Sequence, residues 1–275
     1  MGEPLLPLVG RLAFGPGGRP GPCRCGRPRN HRIVGVGFCP THHYCLCLID
    51  SATARGDTGR VVTAVRLSVP SDRLLDPAAA DWASAKEEAV TLEPTPWASQ
   101  PSEYAINAWK ERPYGLTGQL RVAAAHNGEA LFFRLSWQDE TRDDAIRDTD
   151  RFTDAAAVLF PVRSDAPLLT MGTAERAVNA WYWRPDLDDP LSVTATGLGT
   201  TVRYSNASLA AAASYRDGGW QVVISRPFSA RGDEGVALLP GQTTKAGFAV
   251  WQGSNQERAG IKAATLEWQP LQIAE

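Results

Sequence analysis

From Arg60 onward apolar side chains recur at every second position, and that period of two limits what the chain can fold into. Val61, Thr63, Val65, Leu67 and Val69 fall on one face of a strand, with Arg66 and Ser68 on the other. Leu120, Val122 and Ala124 alternate likewise. Leu131, Phe133, Leu135 and Trp137 follow after Asn127-Gly128, a strong two-residue hairpin signal. Further strands are predicted at 155–160, 178–183, 201–204, 220–225, 246–251 and 264–273, with a tight turn at Gly218-Gly219 and a helix around 78–88. The charged stretch 139–151, with Asp139, Glu140, Asp143 and Asp144, reads as a solvent-facing loop; calcium binding there is the minor reading. Short strands punctuated by turns specify an all-β fold. The expected form is an antiparallel β-sandwich of immunoglobulin-like layers, with a few short helices in loops.

Composition narrows the function classes. The chain has 275 residues, with 28 basic against 30 acidic side chains and a net charge of −2. A phosphate-neutralising nucleic-acid binder carries a basic excess, so no nucleic-acid partner is expected. No apolar run reaches the ~20 residues of a membrane-spanning helix. G-x-S-x-G, P-loop and H-E-x-x-H signatures are absent, as is the Cys-x-x-Cys-His of covalent haem attachment. His126, beside the Asn127-Gly128 turn, is expected to be exposed.

The first 57 residues differ from the rest. They hold Cys23, Cys25, Cys39, Cys45 and Cys47 with His31, His42 and His43, among many Gly, Pro and Arg. Thiolates and imidazoles suit zinc, but Cys-x-Cys spacing is not that of a zinc knuckle, and an odd count leaves one thiol outside any disulfide set. The segment therefore reads as a disordered extension, with metal and disulfide readings as alternatives. The domain itself is expected to cover 58–275. No secretory signal is visible at the start, where Glu3 comes early and Pro7 breaks a short apolar run.

Five motifs occur in order beyond residue 60: Asp154-Ala-Ala-Ala-Val-Leu-Phe-Pro161, Leu169-Thr-Met171-Gly172, Val178-Asn-Ala-Trp-Tyr-Trp-Arg184, Gly247-Phe-Ala-Val-Trp-Gln-Gly253, and Glu257-Arg-Ala-Gly-Ile-Lys262 with Trp268-Gln-Pro-Leu271. Together they resemble the haem b (gamma) subunit of type II molybdenum enzymes of the dimethyl sulfoxide reductase family. Ethylbenzene dehydrogenase, dimethyl sulfide dehydrogenase, chlorate reductase and selenate reductase are members. The resemblance spans roughly residues 60–275 and implies a β-sandwich holding one non-covalent haem b.

By that resemblance the axial ligands are a methionine and a lysine. Met171 is the only methionine after Met1; the lysine is Lys262, or alternatively Lys245. A thioether favours Fe(II), and burial lowers the pKa of the lysine that must shed its proton to bind. Trp181 and Trp183 would wall the macrocycle, and Arg184 would pair with a propionate. The implied role is a non-catalytic electron-transfer subunit. Its partners would be an iron–sulfur subunit and a molybdopterin catalytic subunit, with an external cytochrome or quinone-linked electron acceptor. The resemblance implies a periplasmic location, and the lack of a visible signal leaves the cytoplasm as alternative. A carbohydrate-binding sandwich module without redox role is the alternative function.

Overall fold

The computed structural model describes residues 61–275 except 101, 147, 149–150, 205–207 and 231–234. The Cys-rich segment, its metal and disulfide readings and the boundary at residue 58 lie outside the described residues.

Fourteen strands are formed among the described residues. They are β1 (Val62–Arg66), β2 (Glu87–Thr91), β3 (Glu93–Pro94), β4 (Gln119–His126), β5 (Ala130–Gln138), β6 (Ala155–Pro161) and β7 (Val178–Trp183), then β8 (Leu191–Ala195), β9 (Val202–Tyr204), β10 (Ala210–Arg216), β11 (Gly219–Pro227), β12 (Thr243–Trp251), β13 (Ala263–Ala264) and β14 (Gln269–Ile273). Two short helices, α1 (Ser71–Leu75) and α2 (Glu103–Trp109), accompany them. The hydrogen-bonded order is β10-β11-β5-β4-β1-β14-β12-β6-β7-β8-β9. This is a β-sandwich whose two layers share β12. Its first half, Thr243–Ala246, pairs with β14, and its second half, Gly247–Trp251, pairs with β6.

The alternation read from the sequence sets which side chains fill the space between the layers. Leu131, Phe133, Leu135 and Trp137 of β5 meet Val158, Phe160, Trp181, Phe248 and Val250 of the other layer in one buried cluster. Phe133 packs edge-on to Trp181 at 5.9 Å between ring centroids, and Phe160 lies 4.8 Å from Trp181. Aromatic pairs in these arrangements add to the stabilisation that buried area supplies.

Several local expectations are corrected. The central core takes Val62 and Ala64 of β1, and Val65, Leu67 and Val69 pack instead on the outer face of their sheet. The helix around 78–88 is a 3₁₀ turn, Ala80–Ser84, followed by β2, because Trp82 must drop onto the sheet and Val90 must then enter the core. The segment 264–273 is two strands, not one. His126 is fully buried, with its ring edge-on to Phe228; desolvation and then the nearby Arg66 charge hold its pKa below the usual histidine value. Asp139 opens the charged stretch yet is buried. The turns hold: Gly128 adopts φ +91°, and Asp217-Gly218 adopts +53° and +69° between β10 and β11.

Candidate functional site

Outward-facing positions of the β6–β7–β12 layer are mostly small: Ala155, Ala157, Ala180, Ala249 and Ala264. They fall in register, Ala249 opposite Ala157 and Ala264 opposite Ala249, so the alanines make a continuous floor. Loops rise around it and enclose a largely apolar cavity of about 540 Å³, within the ordinary size of cofactor sites.

Met171 reaches this cavity from the β6–β7 loop. Its N–H donates to Leu168 O and that of Gly172 to Pro167 O, both at 2.9 Å, the paired bonds of a Schellman-type turn. Met171 therefore adopts the left-handed conformation, φ +55°, a position that normally favours glycine. Gly172 follows at φ +84°, where a Cβ would stand 2.6 Å from Arg176 O. The chain accepts a strained backbone here and keeps a thioether at the turn; such strain concentrates at functional sites.

Lys262 enters from the β12–β13 loop. Trp251 pairs with Ala155 at one end of the strands, while Pro161 pairs with Val178 at the other. The Lys262 and Met171 loops thus spring from opposite ends of the same floor. The Lys262 ammonium donates to Ala259 O at 3.2 Å and lies 5.3 Å from the Trp251 ring centroid. Desolvation lowers its pKa from 10.5 to about 8. The turn behind it carries two more left-handed non-glycine residues, Gln256 (φ +60°) and Ala259 (φ +51°). Glu257 anchors that turn. Its buried carboxylate accepts from Gly115 N at 2.7 Å, Gln252 N at 3.1 Å and Asn255 Nδ2 at 3.0 Å, and burial raises its pKa against the pull of these bonds.

Lys245 stands elsewhere: it is exposed on β12, and its Nζ donates to Ser164 O at 3.0 Å. Trp181 and Trp183 do not face the cavity. They share one face of β7, as every second residue must, but it is the inner one, and they are only 1% and 6% exposed. The cavity receives Ala180 and Tyr182 from this strand, with Trp251 edge-on to Tyr182 at 5.3 Å. Arg184 does line the cavity, but its guanidinium is already held by Asp186, with Nε to Oδ1 at 2.8 Å; that hydrogen bond raises its pKa and lowers that of Asp186. Arg203 and Arg258 also reach the cavity, Arg258 lying over the Phe152 ring at 4.4 Å. Sequence reasoning missed Tyr182, Trp251, Arg203 and Arg258. Tyr182 and Trp251 were findable from parity, since they alternate with Trp181 and Val250; no comparable signal marks the two arginines.

No group of three or more His, Cys, Asp or Glu suited to a metal ion occurs among the described residues. Haem is nonetheless compatible with the residues present. The cavity is largely apolar, its floor is cleared of large side chains, and a soft sulfur and a desolvated amine both border it.

Comparison with known proteins places this geometry in context. The ethylbenzene dehydrogenase family model matches residues 79–204 and 197–263. The chain is 36% identical over 229 residues to chlorate reductase subunit gamma of Ideonella dechloratans, covering 82% of this chain and 92% of that one. It is 39% identical over 157 residues to dimethylsulfide dehydrogenase subunit gamma of Rhodovulum sulfidophilum, covering 54% of this chain and 58% of that one. It is 38% identical over 150 residues to a protein of Haloferax mediterranei named as a respiratory nitrate reductase heme subunit, covering 54% of each. Among solved structures, a family 9 carbohydrate-binding module from Caldicellulosiruptor kristjanssonii matches 78% of this chain and 95% of its own length, at TM-score 0.42 and 9% identity. Its sugar ligand has no bearing on this chain at that level of likeness. With two thirds of its length matched by the family model, and with a relative aligned almost end to end, the chain belongs to the ethylbenzene dehydrogenase family, among the gamma subunits of dimethyl sulfoxide reductase-type molybdenum enzymes.

Proposed function

We propose that this chain is the haem b-binding electron-transfer subunit of a molybdenum-dependent oxidoreductase, with Met171 and Lys262 as the axial donors. The observation that carries the reading is their delivery, by two loops from opposite ends of the floor, into one apolar cavity in a chain of this family. When bound, haem supplies one-electron exchange between Fe(III) and Fe(II). Met171 offers a soft sulfur that favours the reduced state. Burial brings the Lys262 amine toward its neutral, donor form. Arg203 and Arg258 offer positive charge for carboxylate side groups. The alanine floor and Trp251 exclude water.

On this reading the chain transforms no substrate. It receives or passes electrons through an iron–sulfur subunit joined to a molybdopterin subunit, and exchanges them with an external cytochrome or quinone-linked carrier.

The test is spectroscopic. In the haem-loaded protein, Met171→Leu should shift both spectrum and reduction potential, and Lys262→Ala should give high-spin iron that takes up exogenous ligands. Lys245→Ala should leave both unchanged. An unchanged low-spin spectrum in Met171→Leu and Lys262→Ala would reject the donor pair.

A further inference from the structure

The turn that delivers Lys262 is gripped by a short strap, residues 93–100, that runs alongside it and contributes Thr95 and Ser99 to the cavity wall. Thr95 N–H donates to Lys262 O at 3.1 Å, so the strap pairs directly with the backbone of the lysine. One residue before the turn ends, Gly260 O is approached twice. The Thr95 hydroxyl donates to it, and Gln100 Nε2 donates to it at 2.8 Å. The Gln100 amide also donates to the Thr95 hydroxyl oxygen at 3.1 Å. The donor arithmetic closes. Both amide hydrogens of Gln100 are used, the Thr95 hydroxyl accepts one bond and donates one, and both lone pairs of Gly260 O are engaged.

These groups are removed from water, with Thr95 7% and Gln100 8% exposed, and chains of buried hydrogen bonds reinforce one another. The fit is close as well. A Cβ on Gly260 would stand 2.2 Å from Gln100 Oε1, so only glycine lets the amide seat on the turn. β3 pairs with β13 through Pro94 and Glu93, Tyr114 Oη donates to Thr95 O, and the side chains of Thr95 and Gln100 converge on the segment 260–262.

We propose that Thr95 and Gln100 are positioning residues for Lys262. They lock the 259–262 turn so that the amine is delivered into the cavity and held there against competitors. The inference rests on the reading of Lys262 as an axial donor. Thr95 and Gln100 both act through the backbone of the lysine turn; Thr95 also lines the cavity, so Gln100, which does not, gives the cleaner test. A fixed donor returns to iron faster than an exogenous ligand can occupy the vacated position. Loosening the turn should therefore favour the competitor without removing the amine.

The experiment titrates imidazole into the oxidised, haem-loaded full chain and reads its apparent affinity from the Soret band. Gln100→Ala and Thr95→Val should each raise that affinity about tenfold, the scale of one buried hydrogen bond. Thr95→Ser, which keeps the hydroxyl, should stay at the parent value. In a Lys262→Ala background, Gln100→Ala should add nothing, because the two changes then act on one interaction. Should Thr95→Val not fold, Gln100→Ala alone carries the measurement. Parent-like imidazole affinity in Gln100→Ala, with Lys262→Ala opening the iron, would overturn the positioning role and leave the donor assignment standing; so would a lowered melting temperature without any change in affinity. A Lys262→Ala protein that binds imidazole like the parent would overturn the donor reading and this inference together.

Discussion

The two layers of the sandwich treat their outer faces in opposite ways. On the β4–β5–β11 layer, Ala123, Ala125, Phe132 and Val223 point outward, and the segment after β1 covers them. Leu74 of α1 and Trp82 of the following 3₁₀ turn seat on those alanines, and the Arg134 guanidinium lies 5.2 Å from the Trp82 ring centroid while pairing with Glu87. On the β6–β7–β12 layer the alanines are more numerous, but no such helix covers them among the described residues. Loops bearing Met171 and Lys262 stand around a cavity instead. Small outward side chains therefore have two uses in one molecule: they receive the protein's own plug on one layer and floor an open cavity on the other.

The largest expected effect lies on the plugged face. Trp82→Ala would empty the space above Ala123 and Ala125, at a cost of about 3–5 kcal/mol in unfolding free energy. Removing Trp251, which borders the open cavity, should cost markedly less, because its site is already partly hollow. Denaturant unfolding of the two variants checks the contrast; equal losses would show that both faces are packed alike.

Enlarging the alanines probes the same difference in reverse. Ala125→Leu must push Trp82 or Leu74 aside, and overpacking of this kind costs about 1–3 kcal/mol. Ala157→Leu projects into the open cavity, so the ligand-free protein should keep its stability within about 0.5 kcal/mol while haem uptake, followed by the Soret band, is lost. A haem-loaded Ala157→Leu protein with a parent-like spectrum would break the assignment of this face as the ligand site.

How much of this was legible in the sequence follows from what alternation can encode. Period two marked most of the strands, though not β2, β3, β8 or β10, and Asn127-Gly128 and Gly218-Gly219 marked two hairpins, since those signals are local. It could not say which face of a strand turns inward. Trp181 and Trp183 were rightly put on one face, but large aromatics near a suspected cofactor invite the wrong side. The size contrast between Ala155, Ala157, Ala180 and Val158, Phe160, Trp181 was the available clue, because the bulky set fills the space between layers. Met171 and Lys262 were singled out by motif alone, and both border the cavity. The strap residues Thr95 and Gln100 were not, as their partners lie some 160 positions away and only the fold brings them together. Asp139 was misread as solvated because charge in a loop usually is, whereas here it meets Asp154 in a buried corner.

That corner is the seam between the two layers, and it holds the smallest of the expected effects. Asp139 follows β5 on the plugged side, and Asp154 precedes β6 on the open side. Trp220 Nε1 donates to Asp154 Oδ2 at 2.8 Å, while Asp143 N and Gly253 N donate to the two Asp154 oxygens at 2.9 Å. Thr141 donates to Asp139, Tyr215 donates to the Asp139 carbonyl, and Asp143 and Arg142 flank the pair. Asp139 Oδ2 is buried without a hydrogen-bond partner, and burial raises the Asp139 pKa as well. Desolvation, and then the Asp139 charge, push the Asp154 carboxyl up to about 7 despite the three donors. The folded chain thus keeps a proton that the unfolded chain releases near pH 4. Stability should accordingly fall as pH rises from about 4 to about 7. Asp139→Asn removes the like charge beside Asp154 and leaves its burial unchanged. The variant should show a shallower decline and exceed the parent by about 1–2 kcal/mol above pH 7. Denaturation curves taken across pH 4 to 8 decide the matter: a variant whose decline runs parallel to the parent's would show that the Asp139 charge does not act on Asp154 across the seam.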